Sequence, residues 1–416
     1  MKNMATLAVL FVVFALASGC RTQPTLDSSE RVVDVFAGVA DVFFLRADDT
    51  LWATGYNHEG QLGVGHITQR GIIPAGETPS LARIYGDAGE PFSGARFVAA
   101  GENHAVILRN DGSIWGAGDS SRGELGMQGG QHLVFVRLNM AGAPPSGATA
   151  IAAGNNSTFF ISTDNSLWAA GFNHFGELGL GNRDAQFSFA QVERAGNNAS
   201  GVASGMHHTA LLKTDGTLWV AGHNFNGQLG LGDTDDRTSF TEVASVGANV
   251  IAVAAGNNHT VILKGDGSVW AAGSNFWGQI GFDDNSDRHT FTRLADSSGR
   301  PLTGIREIAA RGDMTLILAA NGSLLLTGNY ADPMAMLEMA FAEGRLSSLR
   351  TTFAPLVPEQ QAGRNFAQVQ RIVLGNNSIH VIDSNGRLWA AGSNRHGQLG
   401  LGFDTEISPV LRLVNP

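Results

Sequence analysis

Short apolar stretches recur in the same order along most of the chain. In one repeat, residues 253–256 are small, and they are followed by His259–Lys264, which is apolar and rich in β-branched residues. Runs of this length and composition predict strands, the second of them buried. A strand with a tryptophan comes next, then a glycine-rich loop, and a last strand such as residues 238–243 closes a repeat. The pattern therefore predicts four strands in each repeat.

A short turn sequence connects the second and third predicted strands. Five repeats pair Asp or Asn with Gly there, and the other two have Asp48-Asp49 and Asp164-Asn165. Asp-Gly and Asn-Gly accept positive φ, so they predict a two-residue hairpin turn. The glycine-containing turns are Asp111-Gly112, Asp215-Gly216, Asp266-Gly267, Asn321-Gly322 and Asn385-Gly386.

The tryptophan strand shows how many repeats the chain holds. Seven copies of this strand stand 51 to 64 residues apart, which is the spacing of propeller blades. One four-stranded sheet cannot bury both its faces, so neighbouring sheets must stack in a ring. We therefore predict an all-β fold, a seven-bladed β-propeller of four-stranded antiparallel blades with aromatic residues filling the space between blades. The marker positions are Trp52, Trp115, Trp168, Trp219, Trp270, Leu325 and Trp389.

Two repeats depart from this pattern. The first carries an insertion over residues 66–94, and the sixth has Leu325 in place of the tryptophan and extra residues to about position 365. The sixth repeat also has a methionine-rich segment, residues 334–339, where a short helix on the blade edge is favoured over an adaptable binding surface. Insertions in propellers form surface loops that often bind partners. We expect specificity at these two places.

Composition and charge narrow the classes of partner. The chain has 416 residues, 54 of them glycine, and only 15% are charged, which suits many short strands joined by tight turns. Its net charge is −10 and it has no basic stripe, whereas a surface that coats phosphates needs clustered Lys and Arg. We therefore expect no nucleic-acid partner.

The N-terminus has the features of an export signal. Lys2 precedes an apolar run over residues 5–17, which is too short to span a bilayer but fits a signal peptide. The run ends in Leu-Ala-Ser-Gly before Cys20, the single cysteine, and this sequence resembles the lipobox of bacterial lipoproteins. We expect a lipoprotein signal peptide (residues 1–19), a lipid on Cys20 with a polar tether (20–30), and the propeller domain (31–416). An ordinary secretory signal with an incidental cysteine is the alternative.

A lipidated Cys20 places the protein in the bacterial cell envelope, outside the cytoplasm and in contact with the membrane through the lipid. Arg21 follows the cysteine where an Asp would favour retention in the inner membrane. The outer membrane is therefore the expected location if the host is Gram-negative.

The motifs Ala-Ala-Gly-x-x-His, Asp-Gly-x-Leu-Trp and Gly-x-Asn-x-x-Gly-Gln-Leu-Gly-Leu-Gly together resemble the regulator-of-chromosome-condensation repeat family over residues 31–416. The best copies of the last motif cover residues 173–181, 224–232 and 394–402. The resemblance implies the propeller fold. The founding member of that family promotes nucleotide exchange on a small GTPase while bound to chromatin. An exported, acidic chain meets neither, so we expect no small GTPase partner.

The sequence contains no recognisable catalytic or metal motif. His104, His208 and His259 occupy one motif position in three different repeats, so we expect a structural role in which each imidazole bonds to its neighbouring turn. The acidic segments at 233–236 and 283–287 lack the spacing of a standard calcium loop and are interpreted as polar turns. We predict no metal, no cofactor and no catalytic residue.

The residues before Gly-Gln-Leu-Gly are unusually rich in aromatics and histidine. If these loops share one face of the ring, they form a protein-binding surface, because aromatic and Arg side chains are common interface anchors. For Phe175 and Trp277 packing on the next blade is an equally good interpretation. The candidate binding face is Tyr56, His58, Phe172, Phe175, Phe225, Phe276, Trp277 and His396, and the same loops carry Asp119, Arg122, His174, His223 and Arg395.

Two functions fit these observations. The favoured one is a non-catalytic module, anchored by lipid at the cell envelope, that recognises or scaffolds a protein, with a glycan as the alternative ligand. The alternative is an extracytoplasmic enzyme, a hydrolase or lyase, with its site at the axial mouth of the propeller. Clustered carboxylates or a catalytic triad would favour the enzyme, and an aromatic surface would favour binding.

Overall fold

The computed structural model describes residues 31–67, 81–139, 147–296, 298–329, 349–355, 368–401 and 407–414. Its strands form seven four-stranded antiparallel sheets, each made of four strands consecutive in sequence. This confirms the predicted seven-bladed propeller. The predicted signal peptide, Cys20 and tether lie outside the described residues, as does the methionine-rich segment 334–339.

Each blade has an innermost, a second, a third and an outermost strand. The innermost strands are β1 (Val32–Ala37), β5 (Ala95–Ala100), β9 (Ala148–Ala153), β13 (Ala199–Ser204), β17 (Val250–Ala255), β21 (Ile305–Arg311) and β25 (Val369–Leu374). The second strands are β2 (Asp41–Arg46), β6 (His104–Arg109), β10 (Ser157–Ser162), β14 (His208–Lys213), β18 (His259–Lys264), β22 (Met314–Ala319) and β26 (Ser378–Asp383). The third strands are β3 (Leu51–Gly55), β7 (Ile114–Gly118), β11 (Leu167–Gly171), β15 (Leu218–Gly222), β19 (Val269–Gly273), β23 (Leu324–Asn329) and β27 (Leu388–Ser393). The outermost strands are β4 (Ala82–Arg83), β8 (His132–Arg137), β12 (Gln186–Gln191), β16 (Arg237–Glu242), β20 (Arg288–Arg293), β24 (Leu349–Pro355) and β28 (Ile407–Val414).

Helical structure is minor in the part of the chain that the structure describes. Two three-residue 3₁₀ turns, Glu193–Ala195 and Ala244–Val246, follow the outermost strands of the third and fourth blades. None of the described helices has the length and apolar character needed to cross a membrane.

The apolar core of the described residues is divided into seven clusters, each shared by two adjacent blades. Each of the six third-strand tryptophans packs in the cluster that its blade shares with the preceding blade. Trp168, for example, stacks parallel to Phe160 with ring centroids 5.9 Å apart in the cluster between blades two and three. Trp389 is fully buried between blades six and seven. The predicted packing role of the tryptophans is confirmed.

A short hydrogen-bonded chain explains why Asp, Ser or Thr, and Trp recur together. In the second blade the indole Nε1 of Trp115 donates to Ser113 Oγ (3.0 Å), and this hydroxyl donates to Asp111 Oδ1 (2.6 Å). The bond from the hydroxyl lowers the pKa of Asp111. Four other blades repeat the arrangement, at Asp48-Thr50-Trp52, Asp164-Ser166-Trp168, Asp215-Thr217-Trp219 and Asp266-Ser268-Trp270.

The turn between the second and third strands differs from the predicted two-residue hairpin. Gly112 N–H donates to Arg109 O (3.0 Å), and Arg109 N–H donates to Ser113 O (2.9 Å). Gly112 has φ +79°, whereas Asp111 is not among the residues with positive φ. This is a three-residue loop, a type I turn followed by a left-handed residue. The two-residue prediction was wrong because the Asp side chain caps Ser113 and so holds its own backbone in the turn.

The first and last blades close the ring by side-chain contacts, since each is built from its own four consecutive strands. Phe44 and Leu388 lie in one buried cluster that spans the two blades. Arg371 on β25 forms an ion pair with Asp34 on β1, and Thr54 Oγ1 donates to Gly397 O (3.3 Å).

The insertion in the first repeat contributes to the core as well as to the surface. Its described part contains β4, and Ile84 and Phe92 are buried in the cluster between blades one and two. Phe92 packs edge-on against Trp115 with ring centroids 5.6 Å apart. Part of this insertion is therefore blade structure and not an added binding loop.

Candidate functional site

The aromatic-rich loops share one face of the ring with the loops between the first and second strands. In the third blade Phe172 N–H donates to Asn156 O (2.8 Å), and in the fourth His223 N–H donates to His207 O (2.8 Å). These bonds join the inner loop of a blade, between its first and second strands, to the outer loop, between its third and fourth. We call the surface formed by both sets of loops the loop face.

Buried polar side chains fix the outer loops from inside. In the fourth blade Asn224 Oδ1 accepts the N–H of Leu229 (3.0 Å). Gln228 Oε1 accepts the N–H of Asn226 (3.0 Å). Asn224 and Gln228 are fully buried, whereas Phe225 beside them is 71% exposed. The motif residues therefore form a rigid support that presents the variable side chains to solvent.

The largest group of candidate residues lies on blades two to four and is called the aromatic patch. It consists of Arg122, Phe172, His174, Phe175, His207, His223 and Phe225. The ring centroid of Phe175 lies 4.9 Å from that of His207 and 4.5 Å from that of His223. Phe172 lies 5.9 Å from His174 and 6.1 Å from His207. The inner loop of the fourth blade therefore joins the outer loops of blades three and four.

The edges of the aromatic patch are a cation and an exposed ring. The guanidinium carbon of Arg122 lies 5.2 Å from the centroid of Phe172, within cation–π distance. Phe225 lies nearly parallel to His223, with centroids 6.3 Å apart. Burial lowers the pKa of His223, and Gln228 Nε2 lies 3.1 Å from its Nδ1. Because an amide N–H can only donate, His223 accepts this bond in its neutral form.

The remaining candidates form two further groups. Tyr56 lies 5.3 Å from His396 and 6.2 Å from His58, between ring centroids, so this group bridges the first and seventh blades. Phe276 is 65% exposed and meets Trp277 edge-on with centroids 4.8 Å apart. The structure thus distributes the eight candidate residues over three groups on the loop face.

His207 belongs to the aromatic patch but was missed from the sequence. It directly precedes the motif residue His208, and nothing in the repeat pattern marks it as a contact of Phe172 and Phe175. Only the pairing of inner and outer loops brings it to the patch. Phe175 contacts His207 and His223 and also keeps part of its surface in solvent, so it both packs and is accessible.

The motif histidines are structural, but their partner is not the neighbouring turn. Nε2 of His208 lies 2.9 Å from Thr260 Oγ1 on the next blade. Thr260 donates its one hydroxyl hydrogen to Gln228 O (2.7 Å), so it must accept the hydrogen of the imidazole. His104 and His259 make the same bond, to Thr158 and Thr315. Burial lowers the pKa to about 4 for His104 and His259, and to about 3 for His208. All three are therefore neutral links between blades near pH 7.

The acidic segments hold their own loops together. Asp233 Oδ2 lies 2.6 Å from Arg237 Nη2, and Asp236 Oδ1 accepts the N–H of Asn224 (3.0 Å). In the next blade Asp284 pairs with Arg288 in the same way (2.6 Å). These carboxylates act as the acceptors of polar turns. Among the residues placed in the structure, no group of three or more His, Cys, Asp or Glu side chains is arranged to hold a metal ion.

Several acids on the first and second strands of the blades have raised pKa values. Burial raises the pKa of Asp41 to about 7 and that of Asp34 to about 6, and nearby arginines partly offset both shifts. Burial also raises the pKa of Glu307, to about 7. Asp34 on blade one is paired with Arg371 on blade seven, and Arg371 also attracts Glu307 on blade six. These charged groups therefore link the innermost strands of three consecutive blades.

Known proteins share these repeats. The regulator of chromosome condensation (RCC1) repeat matches residues 215–263, and a second model of that repeat matches residues 96–124, 148–177, 199–228 and 250–279. The ultraviolet-B receptor UVR8 of Arabidopsis thaliana is 28% identical over 264 residues, which are 62% of this chain and 57% of the relative. The secretion-regulating guanine nucleotide exchange factor of Bos taurus is 29% identical over 242 residues, 58% of this chain and 50% of the relative. The chain thus spans little more than half the length of these relatives.

Solved structures show the same fold. Human WBSCR16 superimposes with a TM-score of 0.73 at 18% identity, covering 88% of this chain and 94% of that one. The yeast RCC1 protein Prp20, solved with Kap60, gives a TM-score of 0.71 at 18% identity, covering 97% and 91%. Prp20p of Saccharomyces cerevisiae, described with its binding to Gsp1p and histones, gives 0.68 at 18%, covering 94% and 89%. Identities this low support the fold alone.

Proposed function

Because this chain belongs to the regulator of chromosome condensation (RCC1) repeat family, we propose that it is a non-catalytic recognition module whose loop face binds a protein. One observation carries the proposal. Accessible aromatic and histidine side chains, with Phe225 71% and Phe276 65% exposed, stand on loops that buried Asn and Gln side chains hold rigid. Rigid aromatic anchors are typical of protein-binding surfaces, since little conformational freedom is lost on binding.

Related propellers and the charge of the chain support a protein as the ligand. Yeast Prp20 was solved with Kap60 bound, and its binding to Gsp1p and histones has been described. The present chain has a net charge of −10, which disfavours nucleic acid. The expectation that its partner is not a small GTPase rests on export from the cytoplasm and stays a prediction.

We propose further that a lipid on Cys20 anchors the propeller at the bacterial cell envelope. The support is the sequence alone, an apolar run of signal-peptide length followed by Leu-Ala-Ser-Gly-Cys. Cys20→Ala should release the protein from the membrane fraction, because this variant lacks the thiol that takes the lipid. Unchanged fractionation of Cys20→Ala with membranes would contradict the anchor.

The binding face is tested by capture of partners from native membranes with the Cys20→Ala protein as bait. Replacing Phe225 and Phe276 together by Ser should reduce recovery of the captured protein at least tenfold, since both side chains are exposed anchors. The matched control replaces Val33 and Ile251 by Ser. These residues are 41% and 47% exposed at the start of inner strands, on the opposite face.

Both double variants should unfold cooperatively at the temperature of the parent, because all four side chains are exposed. Equal recovery with the parent and with the Phe225/Phe276 variant would contradict binding at the loop face. A loss caused by the Val33/Ile251 variant alone would assign binding to the other face.

A further inference from the structure

The sixth blade has an arginine where the six other blades have glycine. Arg311 ends β21 and lies three residues before the second strand, which begins at Met314. The equivalent residues are Gly38, Gly101, Gly154, Gly205, Gly256 and Gly375. Their positions leave no room for a side chain; a Cβ on Gly256, for example, would lie 2.0 Å from Cε1 of His259. Blade six has Met314 in place of that histidine, and its chain turns differently here.

The Arg311 side chain crosses the mouth of the central channel. Its Nη2 donates to Ala100 O on the second blade, 2.6 Å away, although Arg311 itself belongs to the sixth blade. A guanidinium has five N–H donors, and this bond occupies one of them. Within the described ranges, no carboxylate lies within ion-pair distance of Arg311.

A shallow depression that is open to solvent lies beside this guanidinium, and we call it the axial pocket. It is lined by the glycine backbone at the ends of the inner strands in blades three to five. Its polar side chains are Arg311, the amides of Asn155 and Asn257, and the hydroxyl of Ser204. The lining residues include one cation and no acid, and the Asn155 amide also donates to Glu102 Oε2 beside the pocket (3.4 Å). Such a set of groups is suited to a small anion with planar oxygens.

The axial pocket adjoins the aromatic patch. Asn155 lines the pocket, and the carbonyl of the next residue, Asn156, accepts the N–H of Phe172. Gly205 also lines the pocket and lies two residues before His207. A protein that covers the aromatic patch therefore reaches the pocket without crossing another element.

We propose that the axial pocket binds a carboxylate through Arg311, and that an acidic side chain of the bound protein supplies it. The source of the carboxylate rests on the proposed function, whereas the pocket does not. Arg311 lies in a partly dehydrated mouth, where attraction between opposite charges is stronger than in open water. Asp41 is the nearby acid that acts on Arg311, but it is buried at the start of β2 and does not line the pocket.

Calorimetric titration of the Cys20→Ala protein with N-acetyl-L-glutamate, its α-carboxylate blocked as the methylamide, tests the pocket. The matched probe is N-acetyl-L-glutamine blocked in the same way, which lacks any carboxylate and differs only in the charge and the donors of its side-chain group. The acid should bind at least tenfold more tightly than the amide, and Arg311→Met should remove this difference. Arg311→Lys, which keeps the charge but not the two-pronged geometry, should restore part of it.

Equal binding of the two probes, or a preference for the acid that persists in Arg311→Met, would overturn the site. Arg311→Met should melt at the temperature of the parent, and Arg311→Lys serves as the test variant if it does not.

Capture from membranes distinguishes the source of the carboxylate. Arg311→Met should lower recovery of the partner at least tenfold. If Arg311→Met no longer binds N-acetyl-L-glutamate but still recovers the partner fully, the ligand of the pocket is a free carboxylate. That result would contradict the proposal that a side chain of the bound protein supplies it.

The two proposals can fail separately. The Phe225/Phe276 double Ser variant should bind N-acetyl-L-glutamate as the parent does, because neither ring lines the axial pocket. Capture that is insensitive to this variant would contradict the loop face but leave the titration result unchanged.

Discussion

At the scale of single residues, neutral buried groups join the blades. The imidazole of His208 donates to Thr260 on the next blade, and Thr260 donates in turn to the outer loop that supports Phe225. A buried hydrogen bond of this kind contributes about 1 kcal/mol, but an orphaned partner costs about 1–3 kcal/mol. The same bonds that fix the ring therefore also fix the loops of the loop face.

The buried histidines predict a loss of stability in acid. Burial lowers the pKa of His208 to about 3, so only the unfolded chain takes up this proton as the pH falls below about 6.5. The contribution of neutral His208 to the free energy of unfolding is complete above pH 6.5. It is lost as the pH falls towards 3, at up to about 1.4 kcal/mol per pH unit. The destabilisation caused by His208→Gln should thus shrink by about 2 kcal/mol between pH 7.5 and pH 5.

Urea denaturation of both proteins at the two pH values measures this change. Thr290→Gln, at an exposed position of β20 without a titratable group, is the control and should give the same difference from the parent at both pH values. A penalty for His208→Gln that is independent of pH would show that the folded protein protonates this imidazole as readily as the unfolded chain does.

At the scale of the element, one glycine at the end of the inner strand sets how closely blades approach in six of the seven blades. Gly256 faces the His259 ring on one side and Gly312 O of the next blade on the other. A side chain at this position would push away both the His259 ring and the Gly312 carbonyl of the next blade. In the Ala-Ala-Gly-x-x-His motif, the glycine therefore provides the space that the histidine ring occupies.

Gly256→Ala should destabilise the protein by about 2–4 kcal/mol, because a methyl group 2.0 Å from His259 Cε1 and 2.8 Å from Gly312 O forces the blades apart. Gly130→Ala is the control, since a methyl group at that position would have no other atom within 4 Å. Thermal and urea unfolding compare the two. Equal, small effects would mean that blades do not meet as closely as described.

Much of the element scale could be predicted from the sequence. The spacing of the tryptophans and the Asp-Gly turns indicated seven blades and four strands, because local strand and turn chemistry repeats. The geometry of the turn was missed, since the Asp111–Ser113 bond is a side-chain effect that a dipeptide rule omits. His207 and Arg311 were missed because their importance depends on contacts between blades, over 211 residues for Arg311 and Ala100.

At the scale of the molecule, the ring closes without exchanging a strand between its ends. The first and seventh blades share a buried cluster that includes Phe44 and Leu388, and Arg371 pairs with Asp34. In a closed ring, the interface between the first and seventh blades is packed in the same way as the six other interfaces between blades. An open array would instead leave its terminal repeats weakly held.

Phe44→Ala at the closing interface and Phe160→Ala between blades two and three should each destabilise the protein by about 3–5 kcal/mol, because both rings are fully buried. Urea unfolding with a cooperative transition measures both values. A much smaller effect for Phe44→Ala would mean that the first and last blades are not packed together in solution.

The central claim is that the loop face holds the protein partner, and site-specific photo-crosslinking in native membranes tests it most directly. Benzoylphenylalanine replaces Phe225 on the loop face in one protein and Ile251 on the opposite face in another. We predict a discrete crosslinked protein from position 225 and none from position 251. Crosslinking of the same protein from position 251, with none from position 225, would contradict the claim.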